Sequence, residues 1–173
     1  MSNGTELISK VVDKVMRHAT TNGNNYAFGN ITYKKLVRLV CGLSNQIDGS
    51  RVLIACNKKE DAYIAMLGAL HSGATYAPIN IEAPVEHQNK IINQFKPTDI
   101  IRGKSDAGFY LGAIPVGNES EPFPQSNSFS PAYVIFTSGS TGEPKGVIIS
   151  RSAMNHFITW SSSSLDISRV SRI

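Results

Sequence analysis

Apolar residues along this chain recur in two patterns that alternate, and this alternation constrains the fold more than any other feature of the sequence. A spacing of three to four residues predicts helices with one buried face, and short runs of β-branched residues predict buried strands. Helices that alternate with strands favour the α/β class, a parallel sheet with helices on both faces. The predicted helices are residues 7–16, 36–47, 60–71 and 84–95, and the predicted strands are residues 51–56, 75–78 and 99–102.

Three residues are suited to mark where these helices begin or end. The hydroxyl of Thr32 can accept a backbone N–H at the start of the second helix. Gly73 tolerates the left-handed conformation that ends many helices, and Pro84 suits the opening of the fourth helix. A polar stretch at residues 20–25 predicts that the first helix has ended before it.

Composition excludes several classes of protein. Of the 173 residues 41% are hydrophobic, and 17 Lys and Arg against 13 Asp and Glu leave a net charge of +4. These values exclude a disordered tail, a collagen-like fibre and a highly charged histone-like protein. The basic residues are scattered without interleaved aromatic side chains, so no nucleic-acid partner is expected. Neither a signal peptide nor a membrane-length apolar run is visible, which predicts a cytoplasmic protein without a membrane partner.

Neither the cysteines nor the histidines are spaced as metal ligands. Cys41 and Cys56 lie in apolar runs and match no metal-binding motif, which predicts small buried thiols in a reducing compartment. The histidines form no cluster or catalytic triad by spacing. No metal site is therefore expected from these residues, which are His18, His71, His87 and His156.

One segment carries residues suited to bind an anion. An apolar strand ends at Phe136, another apolar run begins at Val147, and a Gly-, Ser- and Thr-rich loop between them ends in Lys145. Successive backbone N–H groups in such a loop form a nest for anions, hydroxyls add donors, and the lysine adds a positive charge. Polyphosphate is the ligand that this combination favours. The hydroxyls belong to Thr137, Ser138, Ser140 and Thr141.

Two familiar phosphate motifs are absent from the loop. The spacing fails the Walker A pattern, and no Gly-x-Gly-x-x-Gly fingerprint occurs. A flexible turn between two strands is the alternative that the composition leaves open. With the Ser-, Pro- and Asn-rich residues 118–130 as a surface linker, we expect an alternating helix/strand subdomain at residues 1–117. Residues 131–173 then form a phosphate-loop hairpin and the start of the next helix.

Three motifs in this order resemble those of the adenylate-forming ligases, which include peptide-synthetase adenylation domains, acyl-CoA synthetases and luciferases. Residues 133–146 fit the phosphate-binding signature of that family throughout. Residues 31–36 resemble its Thr-Tyr-x-x-Leu element, and residues 70–80 resemble its Leu-x-x-Gly-x-x-Tyr-x-Pro-Ile-Asp element. The resemblance implies the N-terminal part of the large lobe of such a ligase. It also implies that ATP's phosphates are lined by Thr137, Ser138, Gly139, Ser140, Thr141, Gly142 and Lys145.

The resemblance implies a reaction in two halves that uses ATP and Mg²⁺. ATP and a small carboxylate give an acyl-adenylate and pyrophosphate, and a carrier thiol then takes the acyl group. The implied part of the loop is to position the leaving phosphates and to stabilise their charge. No catalytic residue is assigned, because family members carry their catalytic lysine near the far C-terminus.

The motifs favour one branch of the family, the ligases that activate amino acids. Tyr76 and Pro78 resemble the core of that branch, although Asn80 stands where Asp is usual. Arg151 stands where many peptide-synthetase domains have His. The run at residues 146–150, together with Phe157 and Trp160, more closely resembles ligases that charge D-alanine onto a carrier protein. The alternative for Phe157 and Trp160 is that they are simply core residues on a helix face.

Family members continue well beyond this segment, and the final residues, 161–173, contain no helix stop. The adenine, ribose, hinge and catalytic-lysine regions of the family are not found here. We therefore expect an N-terminal part of an amino-acid-activating ligase that forms no adenylate alone. Two alternatives remain open. One is half of a split acyl-CoA synthetase-like enzyme whose C-terminal half is a separate chain, and the other is a non-catalytic nucleotide-binding or scaffold module.

Overall fold

The computed structural model describes residues 10–105, 108–113, 130–138 and 142–164. Within these residues the chain forms five helices and eight strands. The helices are α1 (Lys10–Asn22), α2 (Tyr33–Ser44), α3 (Lys59–Ser72), α4 (Val85–Phe95) and α5 (Arg151–Ser164). The strands are β1 (Tyr26–Phe28), β2 (Ile31–Thr32), β3 (Arg51–Ile54), β4 (Thr75–Pro78), β5 (Asp99–Ser105), β6 (Gly108–Ala113), β7 (Pro131–Ser138) and β8 (Pro144–Ser150).

Six of these strands form one sheet in the order β6-β5-β3-β4-β7-β8. The four inner strands are mutually parallel, and β6 and β8 pair antiparallel at the two edges. Helix α3 connects β3 to β4, and α4 connects β4 to β5. Because β3, β4 and β7 are parallel, the residues that follow them meet at the carboxyl end of the sheet, where open α/β sheets bind their ligands.

Buried apolar side chains form a cluster on each face of this sheet. On one face, Val52 and Ile54 of β3 belong to a cluster with side chains of α1, α2, α3 and α5. On the other face, Leu53 of β3 clusters with Ile91 and Phe95 of α4. Consecutive residues of a strand point to opposite faces, so β3 is buried on both. The predicted fold class, a largely parallel sheet with helices on both faces, is confirmed.

The three helix boundaries predicted from Thr32, Gly73 and Pro84 are observed. The side chain of Thr32 accepts the backbone N–H of Lys35 at the start of α2. Gly73 follows α3 with a φ of 88°, and its N–H donates to carbonyls in the last turn. Pro84 immediately precedes α4. These signals are local, so they survive in the folded chain.

The first helix is longer than the polar stretch predicts. Helix α1 continues through Thr20 and Thr21 to Asn22. The hydroxyls of the two threonines donate to the carbonyls of Arg17 and His18, at 2.7 and 3.4 Å. Each hydroxyl thus has a hydrogen-bond partner inside the helix. The two threonines therefore do not end α1.

Three strands have no counterpart in the sequence prediction. The paired strands β1 and β2 have three and two residues, too few to show an alternating pattern. The edge strand β6 is paired on one side alone, with β5. The predicted segments at residues 7–9, 118–129 and 165–173 lie outside the described residues, and the division into residues 1–117, 118–130 and 131–173 stays a prediction. No helix in the described ranges has both the length and the apolar character that crossing a membrane requires.

Candidate phosphate-binding site

The candidate loop is the connection of an antiparallel hairpin at the carboxyl end of the sheet. Strands β7 and β8 pair so that Thr137 lies opposite Lys145 and Ser138 opposite Pro144. Strand β7 is itself parallel to β4, which orients the loop towards the end of the sheet where ligands bind. The hairpin therefore places the predicted loop where a ligand of this fold class is expected.

The polar side chains at this end of the hairpin face solvent. Thr137, Ser138 and Lys145 are all exposed. The hydroxyl of Thr137 donates to the carbonyl of Lys145 across the hairpin, at 3.4 Å. The Lys145 ammonium forms no salt bridge with any carboxylate of the described residues. The positive charge of Lys145 and the hydroxyl of Ser138 are therefore available to a ligand at the mouth of the hairpin.

Two positions of the motif require glycine, each for a different structural reason. Gly142 has a φ of 78°, in the left-handed region that residues with a side chain rarely adopt. A Cβ on Gly146 would lie 3.1 Å from side-chain atoms of both Val134 and Phe136. The first glycine permits the turn of the loop, and the second lets β8 lie close against the side chains of β7.

Four of the seven predicted site residues are thus placed near one another at the end of the hairpin: Thr137, Ser138, Gly142 and Lys145. The other three, Gly139, Ser140 and Thr141, lie outside the described residues. Their predicted contacts with phosphate stay predictions.

An ion pair that the sequence did not reveal ties the loop to α4. The ammonium of Lys90 lies 2.8 Å from a carboxylate oxygen of Glu143, which precedes Pro144 in the loop, and 3.7 Å from Glu86. The hydrogen bond and the charge of Glu143 raise the pKa of Lys90. The pair neutralises a carboxylate that would otherwise repel an anion beside Lys145. Of the two contacts of Lys90, the sequence predicts only the one with Glu86, because residues four apart on a helix are neighbours.

The base of the hairpin is fixed to the neighbouring strand by side chains. The rings of Tyr76 and Tyr133 stack with centroids 5.4 Å apart and planes 22° from parallel. The hydroxyl of Thr75 donates to the carbonyl of Pro131 at 3.2 Å. Because β4 is an inner strand of the sheet, these contacts join the hairpin to the centre of the sheet.

Tyr76 makes stability depend on pH above neutrality. Burial, with a smaller effect of Tyr133, raises the pKa of Tyr76 to about 12, from 10 for an exposed tyrosine. The unfolded chain ionises first, so the contribution of Tyr76 is complete below pH 10 and is lost as the pH rises towards 12. We expect a loss of about 2–3 kcal/mol over this interval.

Urea unfolding of the unchanged chain and of Tyr76→Phe at several pH values between 9 and 12 measures this contribution. The variant should lose less stability than the unchanged chain. Burial also raises the pKa of Cys56 to about 11, but that group is common to both proteins and cancels in the difference. Parallel curves for the two proteins would show that Tyr76 titrates like an exposed tyrosine.

The cysteines and histidines do not gather around the loop. Both cysteines are free thiols, and each is half-buried rather than fully buried as the apolar runs predicted. Within the part of the chain that the structure describes, no three His, Cys, Asp or Glu side chains lie close enough together to hold a metal ion.

Comparison with known proteins gives consistent matches. Residues 13–170 match the family model described as AMP-binding enzyme. The nonribosomal peptide synthetase acrB of Aspergillus aculeatus is 34% identical over 116 residues, which are 61% of this chain and 7% of that protein. The D-alanine–D-alanyl carrier protein ligase of Staphylococcus epidermidis is 32% identical over 141 residues, 75% of this chain and 29% of that protein.

Among solved structures, the N-terminal subdomain of NpsA from Klebsiella oxytoca, in complex with 3-hydroxyanthranilyl-AMSN, gives a TM-score of 0.62 at 25% identity. The match covers 83% of this chain and 41% of that one. The chain thus spans less than half the length of each of these relatives. It shares the fold of an adenylation N-terminal subdomain, and the family match includes every described residue of the hairpin: the chain belongs to the family of AMP-binding enzymes.

Proposed function

We propose that the β7–β8 hairpin holds the phosphates of ATP in a ligase that activates an amino acid as its acyl-adenylate for transfer to a carrier thiol. The observation that carries this proposal is Lys145, which is exposed beside two hydroxyls and has no carboxylate partner among the described residues. A lysine ammonium and hydroxyl donors around a glycine-permitted turn suit phosphate oxygens. Membership of the AMP-binding family supports ATP as the nucleotide.

The donor set fits a polyphosphate and not a metal cage built from protein. The side chains at the end of the hairpin, those of Thr137, Ser138 and Lys145, supply hydrogen-bond donors and a positive charge. Mg²⁺ keeps several waters and is bound largely through substrate phosphates in nucleotide sites. We therefore assign Mg²⁺ to the bound nucleotide, where it would neutralise the phosphate charge that Lys145 does not.

The substrate class follows from what the relatives are called. One is a nonribosomal peptide synthetase, and another is a ligase of D-alanine and its carrier protein. Both names point to an amino acid as the carboxylate, and the second points to a carrier protein as the acceptor. In this reaction the hairpin would orient ATP and stabilise the charge that develops on the departing pyrophosphate.

Replacing Lys145 by alanine tests the proposal. Loss of one charge-assisted contact at an exposed site should weaken ATP binding by about tenfold, or about 1.4 kcal/mol. Calorimetric titration of the full chain with MgATP measures it. Tripolyphosphate should compete with ATP, because the proposed contacts are to phosphate oxygens.

The matched control is Lys35→Ala, which removes an exposed lysine from α2. This variant should bind ATP within about twofold of the unchanged chain, as expected for a surface charge at a distance. Equal losses in the two variants would attribute the effect to net charge and would count against the hairpin as the site.

We also propose that the chain alone does not complete the reaction. It spans 29% of the carrier protein ligase and 41% of the solved subdomain structure, and hairpin donors alone do not align a carboxylate for attack. A pyrophosphate-release assay with ATP and the proteinogenic amino acids plus D-alanine should therefore give no turnover above background. Robust release with any of them would overturn this part of the proposal.

A second candidate is one half of a split ligase, and exposed apolar side chains favour it. Ile135 and Val147 are cross-strand partners that are 40% and 49% exposed, and Phe157 and Trp160 of α5 are 61% and 53% exposed. Surfaces of this kind mark interaction sites. The occupant we propose is a separate chain that supplies the part of the ligase fold which this chain does not span in its longer relatives.

Trp160, the only tryptophan of the chain, reports on the exposed apolar pair of α5, Phe157 and Trp160. Adding the C-terminal part of the Staphylococcus epidermidis ligase should shift its emission to shorter wavelength and restore pyrophosphate release. Unchanged emission together with absent release would leave the split-ligase candidate without support.

A further inference from the structure

A groove formed by helices, and not by the hairpin, is lined by several basic side chains. It lies between α1 and the start of α2 and has a volume of about 400 Å³. Within the described part of the chain its lining contains no carboxylate. The residues that line it are Lys14, Val15, Arg17, His18, Thr21 and Tyr33.

The two cationic side chains of this groove are held in place by hydrogen bonds, and no carboxylate of the described residues forms a salt bridge with them. The ammonium of Lys14 donates to the hydroxyl of Ser162 on α5, at 2.9 Å, which leaves two of its N–H groups available. The Nε of Arg17 donates to the carbonyl of Asp13, at 3.4 Å. Neither cation forms a salt bridge with the described residues. The groove therefore presents two positive charges to which an anion could bind.

The rest of the groove adds donors beside an apolar floor. The ring of His18 meets that of Tyr33 edge to face, with centroids 4.4 Å apart. This contact orients both rings at the groove, where the Tyr33 hydroxyl and an imidazole N–H are further donors. Val15 and the Tyr33 ring supply apolar surface. The hydroxyl of Thr21 already donates to the carbonyl of His18.

We propose that this groove binds the phosphate monoester group of a small molecule, at a site separate from the ATP site. A phosphate monoester carries a charge of about −1.5 to −2 at pH 7, which matches the two cations. Arginine and lysine together give a forked donor and a point charge to its oxygens. The volume lies at the lower end of the range of small-ligand pockets, about 300–1,000 Å³. The inference does not depend on the proposed adenylation function.

Phenyl phosphate is a suitable probe, because it joins the dianionic group to a ring that can contact Val15 and Tyr33. Titration into the full chain, followed by backbone amide NMR, should shift resonances of α1 and of Tyr33. Phenyl sulfate has the same shape but one charge fewer, and we expect it to bind about fivefold more weakly or worse.

Matched double variants locate the site. Lys14→Gln with Arg17→Gln should weaken phenyl phosphate binding by about tenfold or more. Lys34→Gln with Arg38→Gln removes the same charge from exposed positions of α2 that do not line the groove, and should leave binding within about twofold. Far-ultraviolet circular dichroism checks that both variants keep their helices.

Lys145→Ala distinguishes this groove from the hairpin, and its binding of phenyl phosphate should be unchanged. Three results would overturn the inference. The first is absence of saturable binding in the millimolar range, and the second is equal binding by the two double variants. The third is a set of shifts confined to β7 and β8 that disappears in Lys145→Ala.

Discussion

Replacing Phe95 by alanine should lower the free energy of unfolding by about 3–5 kcal/mol, the range for truncating a buried aromatic residue. Phe95 is 1% exposed in the cluster between α4 and the sheet. Its ring meets that of Phe136 edge to face, with centroids 6.4 Å apart and planes at 82°. Phe136 directly precedes Thr137, so the cavity would also remove support beneath the hairpin.

Urea denaturation of Phe95→Ala and of Val85→Ala measures the effect with a matched control. Val85 lies in the first turn of the same helix and is 71% exposed, so its truncation should change stability by no more than about 0.5 kcal/mol. A loss below about 1 kcal/mol for Phe95→Ala would mean that α4 does not pack on the sheet as described.

Replacing Arg151 by alanine should lower the free energy of unfolding by about 3 kcal/mol. The side chain is 4% exposed, and burial lowers its pKa. Its Nη1 and Nη2 donate to the carbonyls of Leu70 and Ala74, at 3.3 and 2.9 Å. These acceptors lie at the end of α3, where the helix dipole also favours a positive charge. The residue therefore ties the β8–α5 junction to α3.

Two further variants separate the hydrogen bonds from the volume. Arg151→Met fills much of the same space but has no hydrogen-bond donors. Its free energy of unfolding should therefore fall by most of the amount expected for Arg151→Ala. Arg38→Ala removes an exposed arginine from α2 and should be nearly neutral. Thermal and urea unfolding give the comparison. A methionine variant as stable as the unchanged chain would show that Arg151 stabilises by packing alone.

The parts of the fold that sequence reasoning predicted are those encoded by neighbouring residues. Thr32, Gly73 and Pro84 act within one turn of their own helices, and the apolar spacing of α2 and α4 identifies their buried faces. The hydroxyls of Thr20 and Thr21 donate to carbonyls of the preceding turn of α1. A polar stretch is equally compatible with a turn, so the sequence alone does not reveal that the helix continues.

The candidate site also has a part that the sequence predicts and a part that it does not. Its loop is contiguous, so the spacing from Thr137 to Lys145 is enough to predict it as a candidate. The supports of the loop join distant parts of the chain: Lys90 to Glu143, Tyr76 to Tyr133, and Arg151 to the end of α3. Such partners are set by strand order and helix placement, which local patterns do not contain. In the sequence Arg151 is only a departure from the His of many peptide-synthetase domains, whereas in the structure it is buried and donates hydrogen bonds to the end of α3.

The most direct test of the central claim is to find where a polyphosphate binds on the full chain. Backbone amide NMR during titration with Mg²⁺–tripolyphosphate should shift the resonances of Thr137, Ser138, Gly142 and Lys145, with saturation that is lost in Lys145→Ala. Saturable binding that leaves these four amides unmoved, or that persists unchanged in Lys145→Ala, would contradict the assignment of the hairpin as the phosphate site.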